Sequence, residues 1–227
     1  MSTVRPDAAA APVRVKICGV TRAEDARHAE ASGAAYVGVV VSAGFARSVE
    51  PVAAARLLRD VGVERVAVLV DEPPSRAVEA ARMMGAGTLQ LHGSEGRDTV
   101  GALRDAGAWR IWKAVRARTL GDVTRAVREV GDLVDGFLVE GWRAGAVGGA
   151  GLRLHVDPGG VLVALPSDRI FVLAGGLTPE TVEGEVARFR PQVVDVSSGV
   201  ERERGVKDPA RVEAFVRAVR NVAPPPG

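Results

Sequence analysis

The chain contains a single cysteine, Cys18, in the segment RVKICGVT at residues 14–21. A short strand-like run ends immediately before this residue, and a glycine follows it. Burial as a small core residue is the common fate of a cysteine. A thiol at the end of a strand can instead be a base or a nucleophile that faces a ligand. That second role requires a protein environment that lowers the thiol pKa from about 8.5.

Other polar residues also stand where apolar runs end. Glu140 closes the run in FLVEG, and Gln90 and His92 close the run in TLQLHG. Arg47 follows another such run, in the segment SAGFARSVE. Carboxyl, imidazole and thiol groups collected at one place can exchange protons with a substrate. These residues are therefore candidates for acid–base chemistry and for binding.

Two glycine-rich segments point to a phosphate. They are AGGLTPE at 174–180 and DVSSGVE at 195–201, and each offers free backbone N–H groups. Such groups hold anions, particularly next to the start of a helix. One loop of this kind is explained equally well by a tight turn. Two of them, together with GGAG at 148–151, favour phosphate binding by Gly175, Gly176, Ser198 and Gly199.

The elements that must position these residues form a regular alternation. Eight apolar runs rich in Val and Ile alternate with stretches of helical period, and the runs lie at 13–17, 35–41, 65–70, 88–91, 110–115, 135–139, 169–174 and 193–196. Nearly continuous apolar strands indicate a parallel sheet that is buried on both faces. Eight units in about 210 residues predict an α/β fold, a single (β/α)8 TIM barrel whose site lies at the carboxyl ends of the strands. A doubly wound open sheet is the competing fold, but no GxGxxG follows the first strand to favour it.

Local signals place several helix starts. Thr21 and Glu24 have the spacing of a capping box. Thr178 and Asp208 each precede a proline, a pattern typical of the first turn of a helix. Residues 13–221 are expected to form the barrel. Residues 1–12 are expected to be a disordered tail and residues 222–227 a flexible tail.

Composition narrows the classes of function. The 227 residues are 47% hydrophobic and carry a formal net charge of only +2, with charges of both signs interspersed. This pattern predicts no nucleic-acid binding. No apolar run reaches the length of a membrane span, so no membrane partner is expected. One cysteine cannot form an internal disulfide, and the sequence therefore predicts a cytoplasmic location.

The segments VKICGVT, QLHG, AGGLTPE and DVSSGVE, in this order, resemble the phosphoribosylanthranilate isomerase family. The resemblance runs from about residue 13 to about residue 220. It implies a barrel without cofactor or metal, either monomeric or homodimeric, that acts on a small phosphorylated substrate. The implied reaction is the Amadori rearrangement of N-(5-phosphoribosyl)anthranilate to 1-(2-carboxyphenylamino)-1-deoxyribulose 5-phosphate in tryptophan biosynthesis.

The resemblance also implies roles for individual residues. Cys18 is the general base, acting as a thiolate, and Lys16 is not assigned the task of lowering its pKa. Glu140 stands where the family has an aspartate as the general acid, with Asp195 as a second choice. The residues implied to contact the substrate are Arg47, which holds the anthranilate carboxylate, and Gln90, His92, Gly149 and Gly151.

Several departures from the family pattern keep an alternative open. A glutamate places its carboxyl roughly 1–1.5 Å farther from the backbone than an aspartate does. The segments after the second and sixth strands also differ, and Trp142 covers the anthranilate ring or packs on the rim. The alternative is a diverged paralogue that binds another phosphorylated ligand, with lyase or epimerase chemistry or without catalysis.

Overall fold

The computed structural model describes residues 12–141 and 154–222. Eight parallel strands close into a barrel in which each strand pairs with the next and the last pairs with the first. The strands are β1 Arg14–Ile17, β2 Tyr36–Val40, β3 Glu64–Leu69, β4 Thr88–Leu91, β5 Arg110–Ala117, β6 Gly136–Gly141, β7 Ile170–Leu173 and β8 Val193–Val196. The barrel prediction is confirmed, and every strand lies within two residues of its predicted run.

Helices connect the strands. They are α1 Ala23–Ser32, α2 Pro51–Leu57, α3 Pro74–Met84, α4 Arg97–Ala106, α5 Leu120–Val130, α6 Pro158–Ala164, α7 Val182–Phe189 and α8 Pro209–Arg220. A short antiparallel hairpin after the barrel, β9 Glu201–Glu203 and β10 Val206–Lys207, was not predicted. Among the described helices, none is both long and apolar enough to cross a membrane.

One of the three predicted helix starts is confirmed, and two are wrong. Asp208 caps α8 by accepting from the N–H groups of Ala210 and Arg211, as predicted. The prediction for Thr21 is wrong, because its hydroxyl donates to the carbonyl of Gly205 at 2.6 Å instead of capping α1. The prediction for Thr178 is also wrong. Helix α7 begins only at Val182.

Alternation along the strands produces two cores. Inward-facing side chains such as Val66, Trp112, Leu138 and Val172 fill the barrel interior. Their neighbours along the strands pack outward against the helices. Polar groups replace these apolar side chains toward the carboxyl ends of the strands, and the barrel therefore presents its chemistry at one mouth.

A buried ion pair crosses the contact between the first and the last strand. Lys16 of β1 and Asp195 of β8 are direct partners in the strand register, and their Nζ and Oδ1 atoms are 2.7 Å apart. Both residues are buried. This contact between β1 and β8, here called the seam, closes the barrel.

Candidate active site

The predicted chemical groups gather at the carboxyl ends of the strands. Cys18 directly follows β1, and Glu140 is the next-to-last residue of β6. Going around the barrel through β8 and β7, β6 is three strands away from β1. The candidate base and the candidate acid therefore approach a substrate at the mouth from different sides.

Cys18 is buried next to two opposite charges. The Lys16 ammonium group and the Asp195 carboxylate are both close enough to the thiol to act on its charge. Gly38 on β2 leaves the space for this arrangement, since a Cβ there would lie 2.9 Å from Nζ of Lys16 and 3.2 Å from Sγ of Cys18. The sequence interpretation that set Lys16 aside is wrong, because both side chains point into the barrel.

The surroundings of the thiol favour its protonated form. Burial raises the pKa of Cys18 above its ordinary value of 9.0, and the negative charge of Asp195 raises it further. Lys16 lowers the pKa of the thiol, although not enough to cancel these effects. The lowered pKa that the sequence analysis required is therefore not found in this state of the protein. A thiolate forms here only as a minor species, with Lys16 as its counter-charge.

Glu140 belongs to a chain of polar contacts. Its Oε1 lies 3.0 Å from Nε2 of His92 and 3.4 Å from Nε of Arg116. On the far side of the imidazole, Nδ1 of His92 is 2.9 Å from Nε2 of Gln90. Burial alone would raise the pKa of Glu140, but the hydrogen bond from His92 and the charge of Arg116 outweigh it and lower the pKa. These surroundings favour the ionised form of the carboxyl group.

Arg47 lies near Cys18 but already has a carboxylate partner. Its Nε and Nη2 atoms donate to the two carboxylate oxygens of Glu201 at 2.7 Å and 2.6 Å. Lys207 also donates to Glu201, at 2.9 Å. The sequence analysis did not single out Glu201 or Lys207, although Glu201 ends the DVSSGVE segment. A carboxylate of the substrate would have to share Arg47 with Glu201.

The two glycine-rich loops are neighbours. Gly175 and Gly176 follow β7 with φ angles of +92° and +62°. A short 3-10 helix at Ser198–Val200 follows β8. A Cβ on Gly199 would overlap the carbonyl oxygen of Leu177, so the loops touch through their backbones. Phosphate binding by these residues stays a prediction.

An open pocket of about 340 Å³ lies over the ends of β4 and β5. It is lined by His92, Gly93, Ala114, Arg116, Arg118 and Asp122. Gly149, Gly151 and Trp142, which were predicted to contact or cover the substrate, lie outside the described residues. Within the described ranges, no group of three or more His, Cys, Asp and Glu side chains is placed to hold a metal ion.

Known proteins resemble this chain in sequence and in fold. Among curated relatives, the N-(5'-phosphoribosyl)anthranilate isomerase of Methanopyrus kandleri is 38% identical over 224 residues, covering 92% of this chain and 100% of the relative. The enzyme of the same name from Erythrobacter litoralis is 36% identical over 209 residues, covering 91% and 98%.

Solved structures agree with these relatives. The crystal structure of phosphoribosyl anthranilate isomerase from Thermotoga maritima superposes with a TM-score of 0.82 at 32% identity, covering 91% of this chain and 98% of that one. A family profile described as N-(5'phosphoribosyl)anthranilate (PRA) isomerase matches residues 15–218. The chain therefore belongs to the N-(5'-phosphoribosyl)anthranilate isomerase family.

Proposed function

We propose that Cys18 is the general base and Glu140 the general acid with which this chain, an isomerase of tryptophan biosynthesis, rearranges its substrate. The reaction converts N-(5-phosphoribosyl)anthranilate into 1-(2-carboxyphenylamino)-1-deoxyribulose 5-phosphate. The observation that supports these roles is the pair of polar centres at the barrel mouth: a thiol beside a buried ammonium group at β1 and a carboxyl group hydrogen-bonded to an imidazole at β6.

The first step is opening of the sugar ring. Glu140, carrying a proton, donates it to the ring oxygen while the bond between that oxygen and C1 breaks. The nitrogen lone pair of the aminobenzoate moves into a C1–N double bond, which gives a protonated Schiff base. General acid catalysis of this kind contributes about 10²- to 10⁴-fold in rate.

The second step is transfer of a proton from C2 of the sugar. The Cys18 thiolate removes this proton, and the electron pair flows toward the Schiff-base nitrogen to form an enolamine. Lys16 stabilises the thiolate because its ammonium group lies beside the sulfur. The enolamine takes a proton at C1 and loses the hydroxyl proton at C2, which gives the ketone product.

The remaining polar groups at the barrel mouth are assigned to substrate binding. The phosphate is assigned to the backbone N–H groups at Gly175, Gly176 and Gly199 and to the exposed Ser198 hydroxyl. The anthranilate carboxylate is assigned to Arg47, which would give up part of its contact with Glu201. We further propose a cytoplasmic enzyme that is a monomer or a homodimer, which sedimentation of the purified protein would distinguish.

The test is an assay of the purified chain with freshly made N-(5-phosphoribosyl)anthranilate and chromatographic identification of the product. Wild-type protein should form the aminodeoxyribulose phosphate. Cys18→Ser should keep the thermal unfolding midpoint within a few degrees and lose most of kcat, because a serine hydroxyl stays protonated and is a far weaker base than a thiolate. A wild-type kcat in the serine variant would refute the role of Cys18. No turnover by the wild type would favour the alternative of a paralogue with another phosphorylated ligand.

A further inference from the structure

The hydrogen bond between Glu140 and His92 joins two side chains that can each hold a proton. Both side chains are largely buried, with exposed fractions of 11% and 13%, and their Oε1 and Nε2 atoms lie 3.0 Å apart. The pair spans from β6 to the end of β4. A carboxylate and an imidazole at this distance can share one proton.

Gln90 determines which imidazole nitrogen carries the hydrogen. Its amide nitrogen is 2.9 Å from Nδ1 of His92 and can only donate, so Nδ1 accepts and Nε2 carries the hydrogen that points to Glu140. This places a mobile hydrogen directly against the carboxylate of the candidate acid.

The same glutamine can serve the protonated imidazole. Its Oε1 atom is buried and has no hydrogen-bond partner in the part of the chain that the structure describes. Rotation of the amide by half a turn would bring Oε1 to Nδ1 of His92, where it would accept from an imidazolium N–H. Leaving a buried acceptor unpaired is costly. The Gln90 amide can therefore pair with both the neutral and the protonated imidazole.

His92 also connects the carboxyl group to water. The imidazole lines the open pocket over β4 and β5, whereas Glu140 does not. The charged groups around the pair come from β5, the loop after it and α5. Arg116 on β5 contacts Oε1 of Glu140 and donates to the His92 carbonyl, while Arg118 in the loop and Asp122 in α5 line the pocket. Protons from solvent therefore have a short path to the pair.

We propose that His92 holds the catalytic proton and passes it to Glu140, so that the acid of the reaction is a His92–Glu140 pair. In the step, the imidazolium Nε2–H bond breaks as the ionised carboxylate of Glu140 gains that proton, and the O–H bond formed in this way breaks when the ring oxygen of the substrate takes the proton. One proton leaves the pair, and one returns from water in the pocket. This inference rests on the proposal that Glu140 is the acid, and in it His92 is a positioning residue that acts through Glu140.

The longer side chain of Glu140 belongs to this arrangement. The extra methylene, compared with aspartate, extends the carboxyl group by roughly 1–1.5 Å. That reach lets Oε1 contact both His92 and Arg116 from the end of β6. The departure at residue 140 is thus a change that gives the acid a proton-holding partner.

The test compares His92→Gln with the matched control His28→Gln on the outer helix α1. Glutamine keeps a hydrogen-bond donor near Glu140 but cannot hold the proton. A carboxyl group loses its proton at lower pH than an imidazole does, so the pKa of the acid should fall. The low-pH limb of the kcat/KM profile should therefore move to lower pH by at least about one unit. At pH 7.5 kcat should fall about 10- to 100-fold with KM within about threefold, whereas His28→Gln should match the wild type.

Two results would overturn the proposal. One is a His92→Gln enzyme with wild-type kcat, and the other is a loss of kcat without any displacement of the acid limb. Glu140→Gln separates the two proposals: an active Glu140→Gln enzyme refutes Glu140 as the acid, while an inactive one combined with an unchanged His92→Gln enzyme refutes only the pair.

A measurement on the wild type covers the case in which His92→Gln does not fold. The chain has only three histidines, so ¹⁵N-histidine labelling gives few signals. At high pH the His92 ring should carry hydrogen on Nε2 and none on Nδ1. Its protonation should also perturb the Glu140 carboxyl signal. Hydrogen on Nδ1 alone, or independent titration of the two groups, would contradict the proposal.

Discussion

Lys16 and Asp195, beside the Cys18 thiol, pull its ionisation in opposite directions. Lys16 lowers the pKa of the thiol and Asp195 raises it, while burial gives the largest upward shift. The net result is a neutral thiol that faces an ionised Glu140, which is the reverse of the protonation that catalysis needs. Activity therefore depends on a minor form in which the thiol has lost a proton and the acid holds one.

The first prediction concerns thiol reactivity. Lys16→Met should slow alkylation of Cys18 by iodoacetamide at pH 8 by about tenfold, and Asp195→Asn should accelerate it by a similar factor, as expected for a change of one unit in thiol pKa. Because Cys18 is the only cysteine, mass spectrometry reads its alkylation directly. Changes in the same direction in both variants would show that the two charges do not control the thiol.

A second prediction concerns the pH profile of kcat/KM. The thiol must lose a proton and the acid must keep one. Between the pKa of the acid and the pKa of Cys18, the thiolate fraction rises with pH as the fraction of protonated acid falls, so the two effects cancel and the profile is flat. Above the pKa of Cys18 the thiolate no longer increases, and activity falls as the acid loses its proton. Since burial raises the pKa of Cys18, the alkaline limb should lie above 9.0. A decline that begins near pH 7 in the wild type would contradict this assignment.

For individual residues, the sequence indicated which residue types lie at the strand ends, but it did not indicate which charged groups surround them. The end of a strand marked Cys18, Glu140, Gln90 and His92 as site residues. The charges that act on Cys18 come from Lys16 and from Asp195, which is 179 residues from Lys16 in the sequence, and their pairing depends on closure of the barrel. The contact of Arg47 with Glu201 likewise depends on a hairpin that no pattern in the sequence indicated.

At the scale of the element, β2 matters for the space it leaves free. A Cβ on Gly38 would lie 2.9 Å from Nζ of Lys16 and 3.2 Å from Sγ of Cys18, which is closer than such contacts normally come. Both of these side chains are buried and cannot easily move aside. The absence of a side chain on β2 thus defines the position of the base on β1.

The third prediction is that Gly38→Ala lowers kcat at least about tenfold, because displacement of catalytic groups by a fraction of an ångström is costly. The matched control is Gly101→Ala in α4, where a Cβ would meet nothing within 4 Å. The control should keep full activity and gain about 0.5–1 kcal/mol in stability. Equal kcat in the two variants, measured with the same substrate, would show that β2 does not confine the base.

Strands were predicted more accurately than helix starts, for a physical reason. A strand buried on both faces needs an apolar residue at nearly every position, and the sequence shows this directly. A helix start depends on which partner a hydroxyl finds in the folded chain. Thr21 finds the carbonyl of Gly205, while Thr119 and Asp122 form a capping box on α5 that the sequence analysis did not include.

In the molecule as a whole, the ion pair at the seam affects both the stability of the fold and the ionisation of the Cys18 thiol. The Lys16–Asp195 pair joins β1 to β8 in a buried environment, where removing one partner leaves the other charge without compensation. Replacing both partners by apolar residues removes that penalty. The pair therefore adds little net stability to the fold, whereas both of its charges act on the ionisation of the thiol.

The fourth prediction follows from this difference. Lys16→Met alone should lower the free energy of unfolding by about 3–5 kcal/mol, while Lys16→Met combined with Asp195→Leu should recover most of the loss. Urea denaturation of the wild type, the single variant and the double variant measures both effects. The double variant should nevertheless have low kcat, and a double variant with full activity would refute the role of Lys16.

The position of the seam has a consequence for how the enzyme is made. Cys18 emerges from the ribosome before its neighbour Asp195, which is translated 177 residues later, and β8 can pair with β1 only after that. A nascent or truncated chain that ends before β8 therefore carries the thiol without the strand that completes its surroundings. Catalytic competence therefore arises only after β8 has been translated, and proteolytic removal of β8 abolishes it in a single cut.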